Sequence, residues 1–326
     1  MASETADVEQ EGLKRSQVAG VQRSRIVHAT FEACAERGAA GLSVAEVVGR
    51  AGISRRTFYE LFASCEDCLL AALDQGIALA GERVLEAYDA QAPWRARMRS
   101  GLAALLRFLD EQPEIARLLV VESLAAGLRA FERRARALAP ATAAIDEGRE
   151  VARKSTEPPP LAAEGIVGGV LAVLHSRILE DGPRSARSGS TAASGPHLSS
   201  LLNELVGMIV LPYLGAVAAR TELEQPLPKS PPPAPRGPDA LGRLNMRLTY
   251  RTIRVLQTIA EEPGASNRQV GRAAGIDDPG QISKLLARLQ KLALIENTAP
   301  PVKGAPNAWT LTAKGGEVQR AIASQL

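Results

Sequence analysis

Aromatic residues are scarce in this chain: five Phe, four Tyr and two Trp among 326 residues, 3% of the total. Its interior must therefore be filled by aliphatic side chains, and hydrophobic residues reach 45%. Ala, Leu and Arg recur throughout and β-branched runs are few, which favours helix over sheet. Cysteine is equally scarce. Cys34, Cys65 and Cys68 make no disulfide framework and fit a reducing compartment. The three histidines, His28, His175 and His197, have no metal-ligand spacing, so no metal or other cofactor is expected. There is no G-x-S-x-G elbow, no Walker loop and no Cys/His pair with nucleophile–base logic, so an enzyme has little to stand on. The opening stretch, MASETADVEQEGLKR, lacks the apolar core of a signal peptide. The longest apolar runs, 165–174 and 207–219, fall short of the roughly 18–20 residues of a membrane span. The expectation is a soluble, cytoplasmic protein with no membrane partner.

What is present is punctuated by three polar stretches: KSTEPPP at 154–160, a Ser/Gly-rich loop at 181–198, and a Pro-rich linker at 223–240. They suggest a flexible N-terminal arm at 1–21, a small helical domain at 22–70 and a larger helical domain at 71–222. A last domain fills 241–326. That final segment carries twelve basic and six acidic residues, +6 over 86 positions, a footprint suited to a polyanion. A solvated surface would give the same count.

One short pattern occurs twice. SVAEVVGRAGI begins at Ser43 and SNRQVGRAAGI at Ser266, and five of eleven positions are identical. In each, a Ser with Glu or Gln three residues on reads as a capping box starting a helix, and a Gly-Ile pair reads as a tight turn. A second helix then follows, the arrangement of a helix-turn-helix. In the first copy the second helix opens at Ser54, with Arg55, Arg56, Thr57 and Tyr59 as candidate DNA contacts. Arg can fork onto guanine O6 and N7, and Tyr onto a phosphate. In the second copy Asp278 caps a helix with Pro279 in its first turn. Gln281, Ser283, Lys284, Ala287, Arg288 and Lys291 fall on its exposed face, and Ile282, Leu285, Leu286, Leu289 and Leu292 on its buried one.

Elsewhere, periodicity predicts helices over 24–37, 65–88, 93–110, 113–136, 140–153, 161–180, 199–221 and 247–261, the last with Leu248, Ile253, Leu256 and Ile259 on one face. Pro212 is expected to kink its helix, and Tyr213 to pack. Short strands are expected at 294–298 and 308–311, followed by a last helix from 312. The aromatics Tyr88, Trp94, Phe108, Phe131 and Tyr213 are too few to make a pocket between the middle helices anything but aliphatic. The basic residues Lys14, Arg15, Arg23 and Arg25 suit an arm along DNA, and equally a solubilising leader.

Residues 26–70, with AERG, SVAEVVGRAGIS, TFYELF and the FAS-x-E-x-x-L that follows, resemble the DNA-binding domain of TetR-family transcriptional regulators. The resemblance implies a mainly α chain with a three-helix DNA-binding domain and a helical effector-binding and dimerisation domain. It also implies DNA contacts at Ser43, Ser54, Arg55, Arg56, Thr57 and Tyr59, and a homodimer through the helices at about 161–180 and 199–221. Cys34 and Cys68 fall where members carry packed apolar residues. Cys65 stands where members usually have Lys, removing one phosphate contact, and Val48 where Ala is common. ALIENT and NAWTLTAKG resemble the wing and following helix of MarR-type winged-helix domains, with Lys303 at the wing tip. The expected function is a dimeric transcriptional regulator that binds double-stranded operator DNA with two modules per chain and responds to a small hydrophobic effector. The alternative leaves DNA to the N-terminal module and makes the C-terminal one a protein-interaction or effector-coupling module.

Overall fold

The computed structural model describes residues 2–152, 158–180, 197–228, 250–276, 278–299 and 306–323. The chain separates into two compact units. One comprises Met1–Ala29, Ser43–Cys65 and Ala234–Leu326, the other Thr30–Leu42 and Glu66–Pro233.

The first unit starts with α1, Ala2–Arg37, whose C-terminal part belongs to the other unit. The flexible arm expected over 1–21 is corrected, since the helix continues back to Ala2. That stretch has no proline, and its three Ala, three Glu and two Gln are strong helix formers. α2 (Val44–Ala51) and α3 (Arg55–Leu61) follow. Ile26, Val27, Val47, Ala51, Ile53, Phe58 and Phe62 are buried, and Leu61 is half-buried.

The C-terminal part of this unit contains α11 (Tyr250–Glu261), α12 (Asn267–Ala273), α13 (Pro279–Lys291), β1 (Ile295–Asn297), β2 (Trp309–Leu311) and α14 (Ala313–Ala323). The strands form an antiparallel pair in which Glu296 faces Thr310. Ile253, Leu256, Ile259, Ile282, Leu286, Leu289 and Trp309 fill one core. The Trp309 indole N–H donates to Asn267 Oδ1 at 2.6 Å, tying β2 to the first turn of α12. Leu248 lies outside the described residues. Gly315 lets α14 lie directly on the Leu294 carbonyl, since a Cβ there would overlap that oxygen.

The second unit holds α4 (Cys65–Ala87, from Glu66 on), α5 (Trp94–Glu111), α6 (Pro113–Val120), α7 (Leu128–Asp146), α8 (Gly148–Val151), α9 (Ala162–Glu180) and α10 (Leu202–Leu223). α5 packs on α10, and α9 on α6, α7 and α10. Asp110 at the end of α5 accepts from the Leu198 and Ser199 amides at 2.7 and 3.0 Å, capping the 3₁₀ turn that leads into α10. Trp94 and Tyr213, both buried, meet edge to face at 5.2 Å.

Further expectations are corrected in this unit. The helix predicted over 113–136 ends at Val120 and restarts at Leu128, because Gly127 adopts φ +90°. Pro140, expected to start a helix, lies inside α7 on an exposed stretch, where the carbonyl that lacks a donor is open to water. The kink expected at Pro212 falls at Gly215, the residue able to take φ +79° without a Cβ penalty. Phe131 is exposed, so it does not line the interior.

α9 and the stretch 198–223 are long and apolar enough to cross a membrane by length and composition, which the run lengths alone did not indicate. Core helices of globular proteins pass the same test, and both pack within this unit.

Candidate nucleic-acid interface

The first candidate site is built from two caps and a turn. Ser43 (φ −135°, ψ 150°) starts α2, its hydroxyl accepting from the Glu46 amide at 3.3 Å. The box expected there is half formed, because the Glu46 carboxylate instead pairs with Arg50 one turn on at 3.1 Å. Gly52 ends α2 in the left-handed region at φ +62°, and the Ile53 amide donates back to the Val48 carbonyl at 3.2 Å. Ser54 then starts α3. Its Oγ accepts from the Thr57 amide at 3.0 Å and shares a hydrogen bond with the Thr57 hydroxyl at 2.9 Å.

This geometry divides the predicted contacts into two groups. Ser54 and Thr57 are half-buried and satisfy each other, so they fix the end of α3. Ser43, Arg55, Arg56 and Tyr59 are exposed. Tyr59 leans edge-on against Phe58, ring centroids 5.5 Å apart, and Phe58 is fully buried against Phe62 at 5.8 Å. The phenol therefore projects from a fixed base. Arg56 pairs with Glu60 at 2.9 Å, with both side chains largely in water. Such a pair is worth about 0.3–0.5 kcal/mol, little enough for a phosphate to displace it.

Two of the basic residues assigned to an arm have other work. Arg25 is buried, and the Arg23 guanidinium lies 4.5 Å above the Phe62 ring. The side chains of Lys14 and Arg15 lie outside those described. Cys34 and Cys68 are buried, Cys68 sharing a 3.0 Å hydrogen bond with Thr30. Burial pushes the Cys65 thiol up from its ordinary value, which opposes a reactive thiolate at the start of α4. Among the described residues no group of three His, Cys, Asp or Glu could hold a metal.

The second copy repeats the construction. Ser266 and Gln269 form a complete capping box, Oγ accepting from the Gln269 amide and Gln269 Oε1 accepting from the Ser266 amide at 2.8 Å. Gly275 turns the chain at φ +65°, and Asp278 caps α13 through the Gln281 amide at 2.9 Å, with Pro279 in the first turn. Gln281, Ser283, Lys284, Arg288 and Lys291 are all exposed. Gln281, Lys284, Arg288 and Lys291 fall within roughly a quarter turn of one another on α13. Lys303 lies outside the described residues.

Arg251 and Asn267 join this site without having been legible in the sequence. Arg251 donates to Gln281 Oε1 at 3.1 Å, and Asn267 donates to Ser283 Oγ at 3.4 Å. In the sequence Arg251 is only one basic residue among twelve, since its contact links residues thirty positions apart.

Residues 26–72 match the family described as bacterial regulatory proteins, tetR family. No curated protein matches the chain at a significant level. Solved structures resembling it include the fatty acid degradation regulator FadR from Bacillus halodurans, 16% identical, with a TM-score of 0.48, covering 58% of this chain and 94% of that one. FadR from Bacillus subtilis in complex with stearoyl-CoA is 19% identical, with a TM-score of 0.47 and coverage of 57% and 97%. A tetR-family regulatory protein from Rhodococcus RHA1 is 18% identical, with a TM-score of 0.44 and coverage of 60% and 98%. TetR-family regulators are DNA-binding proteins and not enzymes. Residues 26–72, with α2, the Gly52 turn and α3 at their centre, are thus the part of this chain that is similar to the tetR family of bacterial regulatory proteins.

Proposed function

We propose that the chain is a cytoplasmic, homodimeric transcriptional regulator that binds double-stranded operator DNA through two modules per protomer, the N-terminal helix-turn-helix and a C-terminal winged helix. The observation that carries this is the outward projection of Arg55, Arg56 and Tyr59 from an α3 whose start is locked by the Ser54–Thr57 pair. Arg55 and Arg56 read guanine edges or phosphates, Tyr59 and Ser43 bind phosphate, and Ser54 and Thr57 hold the helix end against the backbone. In the C-terminal module, Gln281 is the base reader on α13. Ser283, Lys284, Arg288 and Lys291 supply backbone contacts, and Lys303 reaches phosphate from the wing.

Dimerisation runs through α9 and α10, where Leu179, Leu211 and Val217 are exposed on otherwise apolar helices. A two-fold dimer sets its α3 helices roughly 34–36 Å apart, one turn of DNA. The middle helices take a small hydrophobic effector, and its differential affinity for two arrangements of the dimer changes operator binding.

The test is the salt dependence of binding to a duplex from the gene's own upstream region, compared between wild type and a Lys284→Ala/Arg288→Ala/Lys291→Ala variant. Removing one phosphate-binding cation makes the slope of log K against log salt shallower by about 0.9. A slope shallower by two to three such steps supports the second DNA-binding module. An unchanged slope removes it and leaves the C-terminal module as a protein-interaction element.

A further inference from the structure

α1 serves two hydrophobic cores at once. Val21 is fully buried, and it belongs to the same cluster of side chains as Ile253, Leu256 and Ile259 of α11 and Val270 of α12. Two residues later, Arg23 stacks on Phe62 at the C-terminal end of α3. Successive helical residues are turned by roughly 100°, so Val21 and Arg23 occupy nearly opposite sides of α1. Ile26 and Val27, buried in the stretch that opens the N-terminal domain, begin only about 7.5 Å further along the helix axis. One rigid helix thus presents one side to the C-terminal module and the other to the N-terminal reading helix.

We infer that the two modules are docked through α1, with Val21 as the anchor, and act as one composite reader on a single DNA site whose two sequence motifs stand at a fixed spacing. This rests on the two-module DNA reading proposed above. A module tethered only by the Pro-rich linker would search a range of positions and accept motifs at many spacings. A module seated on α1 gives up that freedom during folding, so its contribution on DNA carries no further ordering cost. The specificity then lies partly in the spacing: moving one motif by half a helical turn puts it on the wrong side of the duplex.

Two measurements on the full chain test this, each on wild type, Val21→Glu and Val21→Ala. The first is selection from a pool of random 40-base-pair duplexes. The second is amide hydrogen exchange across α11. Wild type is expected to select two motifs at one spacing. Val21→Glu is expected to select the same motifs at scattered spacings, with α11 amides exchanging at least about tenfold faster, the response to removing one buried valine. Val21→Ala keeps the position apolar and shifts both readouts the same way by less, which guards against simple misfolding of the charged variant. Scattered spacing in wild type overturns the inference, as does α11 protection unchanged in both variants. A single motif from wild type overturns DNA reading by the C-terminal module, and faster α11 exchange in the variants still upholds the docking.

Discussion

Glu222 offers the sharpest test of how the helical body is held together. Its side chain, 2% exposed, accepts from Arg95 and, at 3.1 Å, from Arg99, joining α5 to the end of α10. Arg99 also donates to Asn203 Oδ1 at 2.7 Å and to the Pro226 carbonyl at 3.3 Å. Replacing Glu222 with Ala removes the carboxylate that these two guanidiniums share. Breaking a buried pair by deleting one partner costs roughly 3–5 kcal/mol, because the remaining charge is left uncompensated. Arg95 is 35% exposed and can turn to water, and Arg99 keeps two acceptors, so the low end applies, about 3 kcal/mol. For a body of this size that lowers Tm by roughly 6–12 °C. Thermal unfolding followed by circular dichroism reads this directly. The drop should persist in about 1 M salt, which screens surface pairs far more than buried ones. A decrease below about 2 °C, or one abolished by salt, would refute the reasoning that this cluster is buried and mutually dependent.

Adjacent glycines in α14 should respond with opposite signs. Gly315→Ala drives a Cβ onto the Leu294 backbone and should cost more than the roughly 1–3 kcal/mol of ordinary overpacking, whereas Gly316→Ala meets nothing within 4 Å and should gain up to about 1 kcal/mol of helix propensity. Equal denaturation midpoints for the two would contradict the close approach of α14 to the Leu294 backbone. Cys65, whose thiol is pushed up by burial, holds less thiolate at any given pH than a free cysteine does. Its alkylation at pH 8 should be slower than that of a small thiol and should accelerate as pH rises, with faster reaction contradicting the assignment. Ser266→Ala removes the complete capping box and should destabilise the C-terminal module by about 1 kcal/mol in a denaturant titration.

Local signals are legible in the sequence, and signals that depend on distant residues are not. Ser43, Ser54, Ser266 and Asp278 cap the helices assigned to them, because each cap bonds to an amide three residues ahead. The buried stripe of α13 follows from a 3.6-residue period alone. The break at 121–127 is hidden, since Leu- and Ala-rich sequence continues through it and nothing local distinguishes Gly127 from a tolerated helix glycine. Glu222 looks like one more charge near a helix end, since its partners come from α5, more than a hundred positions earlier. Val21 closes the short apolar patch Val18-Ala19-Gly20-Val21, which names no partner, so its burial against α11 is unreadable until the fold brings residues 253–259 to it. At the first candidate site the residue types are legible, but their division into capping and projecting roles is not. That division depends on the Ser54–Thr57 hydroxyl pair and on the Tyr59–Phe58 contact.

The most direct test of the account is operator affinity of a full-length Arg55→Ala/Arg56→Ala/Tyr59→Phe variant, measured by gel shift beside wild type. Removing two guanidinium groups at about 1 kcal/mol or more each predicts a fall of at least about 30-fold, with far-UV circular dichroism unchanged because all three side chains are exposed. Wild-type affinity in a folded variant would contradict the claim that α3 grips DNA.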